Sequence, residues 1–548
     1  MPVVLLTSLW LAAAGQQLID PAQADAARPP ADNKKAAAGP AADTFTEALV
    51  GDLTAKGFQV SQGYPKLYTF QDCIDHSYPV LKNCSLANPA APYVVPVLRL
   101  WPDEYVDPNT ENAVVDTDPG YSVTFRLDPR EAVVIYGRMP PPGRYMGLQT
   151  WQFSGHGNWK PKDYNQWANT PDIPFPMQFL FDTVPADDPK SQRILSLSAL
   201  GDVVNNVVME KQSGYPFGET RYFIITPSAA TDHAVRLALQ AQGVPDSHIF
   251  TEQIPREDTF GPIGPLGMGK NAIDFFTAFR YAAPDDQAAG QNWRDTLPLT
   301  VLRLRAPDSL GPVQRYGMLS FAPRTANSEA ALEGDLQKLV AAVCDSLGRA
   351  NLTSTDCTQP PPATSFIPEL VRDLGWTGPY CRSVDMDCNG DQQEAALYFS
   401  SPRPLDSGQV LAVVSTLATE TGNSVYVGLS ANDASMMAGV ANVMDTDVNG
   451  PDGLIKGLKG SADIFAGTVN NSGKFFVHYF TENCDALKDV PGGTDSCSTT
   501  SGVVPALGDP ALRGQFIIAL RDYIATGTEH GPDPAKLLTP RILTFIPQ

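Results

Sequence analysis

Long apolar runs are scarce in this chain. One stretch, Val3 to Ala14, has the length of a secretory h-region, and no later stretch is long and apolar enough to read as a transmembrane helix. Basic clusters are missing too. There are 39 Lys and Arg against 60 Asp and Glu, a formal net charge of −21, and such a field repels nucleic-acid phosphates and anionic lipid surfaces. No nucleic-acid partner is expected, and no membrane insertion once the signal is cleaved. Histidine is sparse, six residues with no two at ligand spacing, which argues against a His-rich metal site. No G-x-S-x-G elbow, S-x-x-K, H-E-x-x-H or C-x-x-C occurs. Gly264-x4-Gly269-Lys270 imitates a phosphate loop, but Asn271 stands where Ser or Thr would hold Mg²⁺, and Pro262 and Pro265 precede it. Nucleotide binding is therefore not expected, and Asn271 reads as the cap of a following helix.

What is present points to an exported protein, secreted or periplasmic. Residues 1–24 read as a signal peptide and 25–43 as an Ala/Pro-rich linker. Eight cysteines fall as sequential neighbours: Cys73 with Cys84, Cys344 with Cys357, Cys381 with Cys388, and Cys484 with Cys497. Each pair brackets a polar or Pro/Gly-rich loop, so local disulfides are expected in an oxidising compartment. A length of 548 residues predicts about two domains. The expected fold is an α+β domain over 44–306, a linker over 307–325, and a mainly-β, sandwich-like domain with one or two helices over 326–548.

In the first domain, strand-like runs cover Tyr93 to Leu100, Tyr121 to Leu127, Ala132 to Arg138 and Tyr145 to Phe153. A β-α-β stretch follows: a strand Tyr222 to Thr226, a helix capped by Ser228 that stops at Gly243, and a strand His248 to Ile254. A helix over 272–282 and a strand over 299–305 complete it. Beyond the linker, Leu332, Leu336, Leu339, Val340 and Val343 lay an apolar stripe along a helix.

Two patterns carry chemistry. Asp385-x-Asp387-x-Asn389-Gly390-Asp391, with Glu394 behind it, recurs as Asp445-x-Asp447-x-Asn449-Gly450 with Asp452. Alternating oxygen ligands on a tight loop can surround a structural Ca²⁺, although the bidentate Glu of an EF-hand is missing and Asx-turns give the same spelling. The second pattern is Trp151 to Trp167. Trp151, Trp159, Tyr164 and Trp167 form a candidate stacking platform for sugar or aromatic rings, with Arg144 as an anion clamp. Their alternative is to anchor a loop on the core. Within that stretch Ser154 and His156, with Asp202 and Asn205 farther on, form a candidate nucleophile, base and orienting set. Asp202, Asn205 and Asn206 would share one face of a helix.

Three functions remain open at this level. The favoured one is an extracellular hydrolase acting on a polymer or ester. The others are a non-catalytic carbohydrate- or apolar-ligand-binding protein with structural calcium, and a structural exported protein. They differ in whether Ser154, His156 and Asp202 or Asn205 converge and whether the Trp rings form an exposed rim.

Overall fold

In a computed structural model, the described residues are 44–81, 84, 87–89, 91–107, 113–156, 193–200, 204–258, 261–319, 324–358, 394–450, 453–500 and 512–548. The signal and Ala/Pro segments lie outside them. The fold is mixed α/β, mostly sheet with few helices.

The N-terminal strands are β1 (Gln59–Leu67), β2 (Tyr93–Arg99), β3 (Tyr121–Ser122), β4 (Glu131–Arg138), β5 (Gly143–His156), β6 (Arg193–Ala199), β7 (Val204–Asn205), β8 (Thr220–Thr226), β9 (Ile249–Gln253), β10 (Pro255–Asp258), β11 (Gly261–Pro262), β12 (Asp274–Pro284), β13 (Leu299–Arg305) and β14 (Tyr316–Leu319). The main sheet runs β6-β5-β12-β2-β1-β13-β4-β8-β9, with β3 beside β2 and β7 beside β5. It curls so far that strands from both ends share one core, in which Met146 and Leu148 of β5 meet Phe223 and Ile225 of β8 and Phe250 of β9. Helices α1 (Thr44–Ala55), α2 (Asn206–Ser213), α3 (Ala229–Ala241) and α4 (Gln287–Thr296) flank the sheet. Leu49 and Leu53 of α1 and Val235, Ala238 and Leu239 of α3 cover the outer face of β4, β8 and β13. The Ser228 hydroxyl accepts the Thr231 N–H, the N-cap that the β-α-β reading requires.

The segment expected as a helix over 272–282 is strand β12, paired with β5 along nearly its whole length. Every residue of β12 is buried. A strand covered on both faces shows no alternation, and Phe275, Phe276, Phe279 and Tyr281 favour the pleated sheet over the helix. Asn271 therefore caps nothing. Of the run 121–127, only β3 and a bridge from Phe125 to Phe275 are strand-like. The stretch 307–325 carries β14, which pairs with β10.

The C-terminal part has α5 (Glu333–Arg349) and β15 (Leu352–Thr353), β16 (Ala395–Phe399), β17 (Arg403–Pro404), β18 (Val410–Thr416), β19 (Tyr426–Asp433), β20 (Ala438–Met444), β21 (Val448–Gly450), β22 (Gly453–Ile455), β23 (Phe475–Thr481), β24 (Cys497–Thr499), β25 (Gln515–Tyr523) and β26 (Arg541–Pro547). Two sheets, β15-β26-β18-β23-β24 and β16-β25-β19-β20, bury a common core that includes Leu411, Val413, Phe476, Leu429 and Leu520. The stripe of α5 packs on the far side of the first sheet through Leu336, Leu339, Val343 and Leu347. Residues 42–548 form one compact unit. Its two halves meet where Tyr145 and Ala282 pack on Leu397, Tyr426 and Tyr523, and where Asn88 Nδ2 donates to Tyr523 Oη at 3.0 Å.

Three of the four expected disulfides are formed, Cys73–Cys84, Cys344–Cys357 and Cys484–Cys497; Cys381 and Cys388 lie outside the described residues. Cys344–Cys357 ties α5 to the turn after β15 across 13 residues. Closing such a loop is worth about 3 kcal/mol. The double variant Cys344→Ser/Cys357→Ser should lose about that much in urea unfolding, and an unchanged midpoint would show that the bridge contributes nothing.

Candidate functional site

Of the expected catalytic set, Ser154 and Asn205 have described side chains, and these two do not come together. Ser154 sits at an irregularity of β5, where the register slips against both β6 and β12. The slip brings Asp274 alongside it. Asp274 Oδ1 accepts the Ser154 N–H at 2.8 Å and the hydroxyl at 2.6 Å, and both residues are buried. This carboxylate satisfies the serine within the sheet, a structural role that needs no substrate. Asn205 caps α2, its Oδ1 accepting the Val207 and Val208 N–H groups, while its Nδ2 donates to the Glu529 carbonyl at 3.0 Å. It precedes the helix and so shares no helical face with Asn206. Asn205 pairs with Gly147, seven residues along β5 from Ser154, a separation of roughly 23 Å at strand rise. The backbone of His156 pairs with Arg193; its side chain and Asp202 lie outside the described residues.

Trp151 is only 3% exposed and packs on Phe276, so this ring forms no rim. It lies 5.1 Å beneath the Arg280 guanidinium, which also covers Tyr93 at 4.8 Å. Trp159, Tyr164 and Trp167 fall outside the described residues. Arg144 is exposed at the start of β5.

Of the proposed calcium ligands, Glu394 forms a buried ion pair with Arg280. Asp447 Oδ1 accepts the Gly457 N–H at 2.7 Å, and Asn449 lies in the hairpin β21–β22. Asp445 Oδ1 accepts the Val427 N–H at 3.4 Å. Burial pushes the Asp445 carboxyl up to about 6, against the opposing pull of that N–H and of Arg144. Asp385, Asp387, Asn389, Asp391 and Asp452 are outside the described residues. Among the described residues, no three acidic, His or Cys side chains gather as a metal site would require.

A concave feature lies elsewhere. A cavity of ≈630 Å³ opens between α2, α3, β9 and β14. Val204, Val208, Ile249 and Phe250 give it apolar surface, while Gln212, Asp232, Arg236, Thr251, Gln253 and Tyr316 supply the polar groups. Arg236 is held on three sides: its Nε faces Asp232 at 3.8 Å, Nη1 donates to Asp246 at 3.1 Å, and Nη2 donates to Thr251 Oγ1 at 2.7 Å. The Thr251 hydroxyl donates to Asp232 at 2.7 Å. Burial and the neighbouring Asp232 push the Tyr316 phenol upward, so it stays a neutral hydroxyl at physiological pH.

Comparison with known proteins adds only distant likenesses. No known protein family and no curated protein matches the chain. An uncharacterized protein from Burkholderia cenocepacia, known by crystal structure, shares 11% identity over 92% of this chain and 89% of its own, with a TM-score of 0.32. A Vibrio parahaemolyticus protein shares 11% over 77% of this chain and 87% of its own, with a TM-score of 0.29.

The cavity was within reach of the sequence only in part. The β-α-β stretch was legible, and Asp232 and Arg236 stand at i and i+4 on its helix, a pair that shares one face. Nothing in the sequence placed Tyr316, from the segment read as a linker, beside them.

Proposed function

We propose that the chain is an exported binding protein, non-catalytic at this site, whose cavity takes a small neutral polyhydroxylated ligand, a mono- or disaccharide. The observation that carries this reading is the fixed Arg236 fork on the wall of the cavity. Its charge is outweighed by the two carboxylates of Asp232 and Asp246, so the wall offers directional polar groups without a net pull on anions. Gln212, Thr251 and Tyr316 donate their N–H and O–H groups within the wall, which leaves their oxygens as acceptors for sugar hydroxyls; Gln253 adds an amide, and Val204, Val208 and Ile249 suit C–H faces. The apolar segment 3–14 and the formed disulfides support export. Among the described residues, no helix is long and apolar enough to cross a membrane. The largest cores draw their residues from one side of 307–325 only, which supports a two-domain organisation within the one compact unit.

Calorimetric titration with a panel of neutral mono- and disaccharides tests the reading. At least one should bind with Kd below about 1 mM, equivalent to about 4 kcal/mol. Arg236→Ala should weaken that ligand at least tenfold while leaving stability within about 1 kcal/mol, since its ion pairs are partly exposed. No binding across the panel, or equal affinity in the variant, would overturn it.

A second reading, a hydrolase acting through Ser154, is favoured only by the 2.6 Å contact of that hydroxyl with Asp274. Labelling of Ser154 in the native protein by a fluorophosphonate would support it.

A further inference from the structure

We propose that Glu252 is a proton-operated latch joining the two ends of the curved sheet and holding β9, one wall of the cavity, in place. β6 covers residues 151–156 of β5 and β7 covers 147–148. Between these pairings Glu252 reaches β5 from β9, at the opposite end of the sheet. Its carboxyl accepts the Thr150 N–H through Oε1 and the Thr150 hydroxyl at 2.6 Å through Oε2. Thr150 Oγ1 in turn lies 2.8 Å from Thr277 Oγ1 on β12. One side chain thus ties β9 to β5, beside the Leu200 N–H that donates to the Thr150 carbonyl at 3.3 Å.

Facing the carboxyl are Thr150 and Thr277, with Ile225 opposite it in the β8 pairing. No charged group among the described residues contributes to its titration. Burial pushes it up to about 8, against the two Thr150 donors, which favour the anion. Opening the seam hydrates the carboxyl and returns it to the ordinary range near 4.5. Between those limits each pH step upward favours the open seam about tenfold. β9 supplies Ile249, Thr251 and Gln253 to the cavity, and β7 supplies Val204, so the seam governs the spacing of two cavity walls. The latch rests on the binding reading only for its purpose, regulation of ligand access.

Amide hydrogen exchange, corrected for intrinsic rates, tests it without any ligand. At pH 8, the amides of Thr150 and of β9 should exchange at least tenfold faster than those of the central strands β4 and β13, and the gap should narrow by pH 6. Glu252→Gln keeps both acceptor and shape, and should abolish the gap at pH 8. Thr150→Val, which removes one donor favouring the anion, should move the transition to higher pH. Seam amides protected like the central strands at every pH, or a gap that persists in Glu252→Gln, would overturn the latch. Failure of every saccharide to bind, with the exchange pattern intact, would sink the binding reading and leave the latch standing.

Discussion

Replacing Arg303 by methionine should destabilise the folded protein by about 3–5 kcal/mol, the range for breaking a buried ion pair on one side. Arg303 is fully buried on β13. Its Nη1 donates to Glu104 at 2.6 Å and to the Arg99 carbonyl at 3.1 Å. Its Nη2 donates to Glu131 at 3.0 Å and to the Arg126 carbonyl, and Nε reaches Glu131 at 3.3 Å. Methionine fills much of the volume and removes every one of these donors. Glu131 keeps Arg305 at 2.7 Å, and Glu104 keeps the N–H groups of Trp101 and Arg126. Burial already pushes the Glu131 carboxyl up despite both arginines, and losing one cation adds to that strain. Adding Glu104→Gln to Arg303→Met should restore part of the loss, because Glu104 is the carboxylate that loses its cation while Glu131 keeps Arg305. Urea unfolding at pH 7 reads both effects. A single variant within 1 kcal/mol of the parent would show that the network is dispensable.

Raising the pH from 5 to 8 should lower the stability of the protein, and Glu252→Gln should remove much of that slope. The sign follows from proton binding. Folded Glu252 titrates at about 8, above the 4.5 of an ordinary glutamic acid, so the folded state holds its proton more tightly than the unfolded chain. The stabilisation is complete below about pH 4 and is lost as pH rises towards 8; above that both states are ionised and the slope ends. The full difference is on the order of 5 kcal/mol for this one group. Asp445, pushed up to about 6, adds a smaller loss of the same sign over a lower window. It is present in both proteins, so comparing parent with Glu252→Gln isolates the glutamate. Parallel stability curves for the two proteins from pH 5 to 9 would contradict this assignment.

Local signals in the sequence led to correct elements where one face or one terminus decides the structure. The Ser228 cap, the stripe of α5 and the strands at 93–99, 131–138 and 299–305 are of that kind, as are the neighbouring cysteines. Strand β12 was missed because burial on both faces erases the two-residue alternation that would distinguish it from a helix. The surroundings of the described site residues were illegible for a different reason. Trp151 is aromatic whether it lines a rim or a core, and only the sheet around it puts the ring under Arg280. The partner of Ser154 lies 120 residues away in sequence, brought close by β5–β12 pairing and a register slip that no local spelling announces. Glu252 reads as an ordinary strand residue until the sheet curls and aims it at Thr150.

The most direct measurement is a crystal structure of the protein grown with the saccharide that binds it best in titration. The account predicts density for the sugar between α3 and β9, with its hydroxyls within hydrogen-bonding distance of Arg236, Thr251 or Tyr316. A sugar seated elsewhere on the protein, with that cavity holding only solvent, would contradict it.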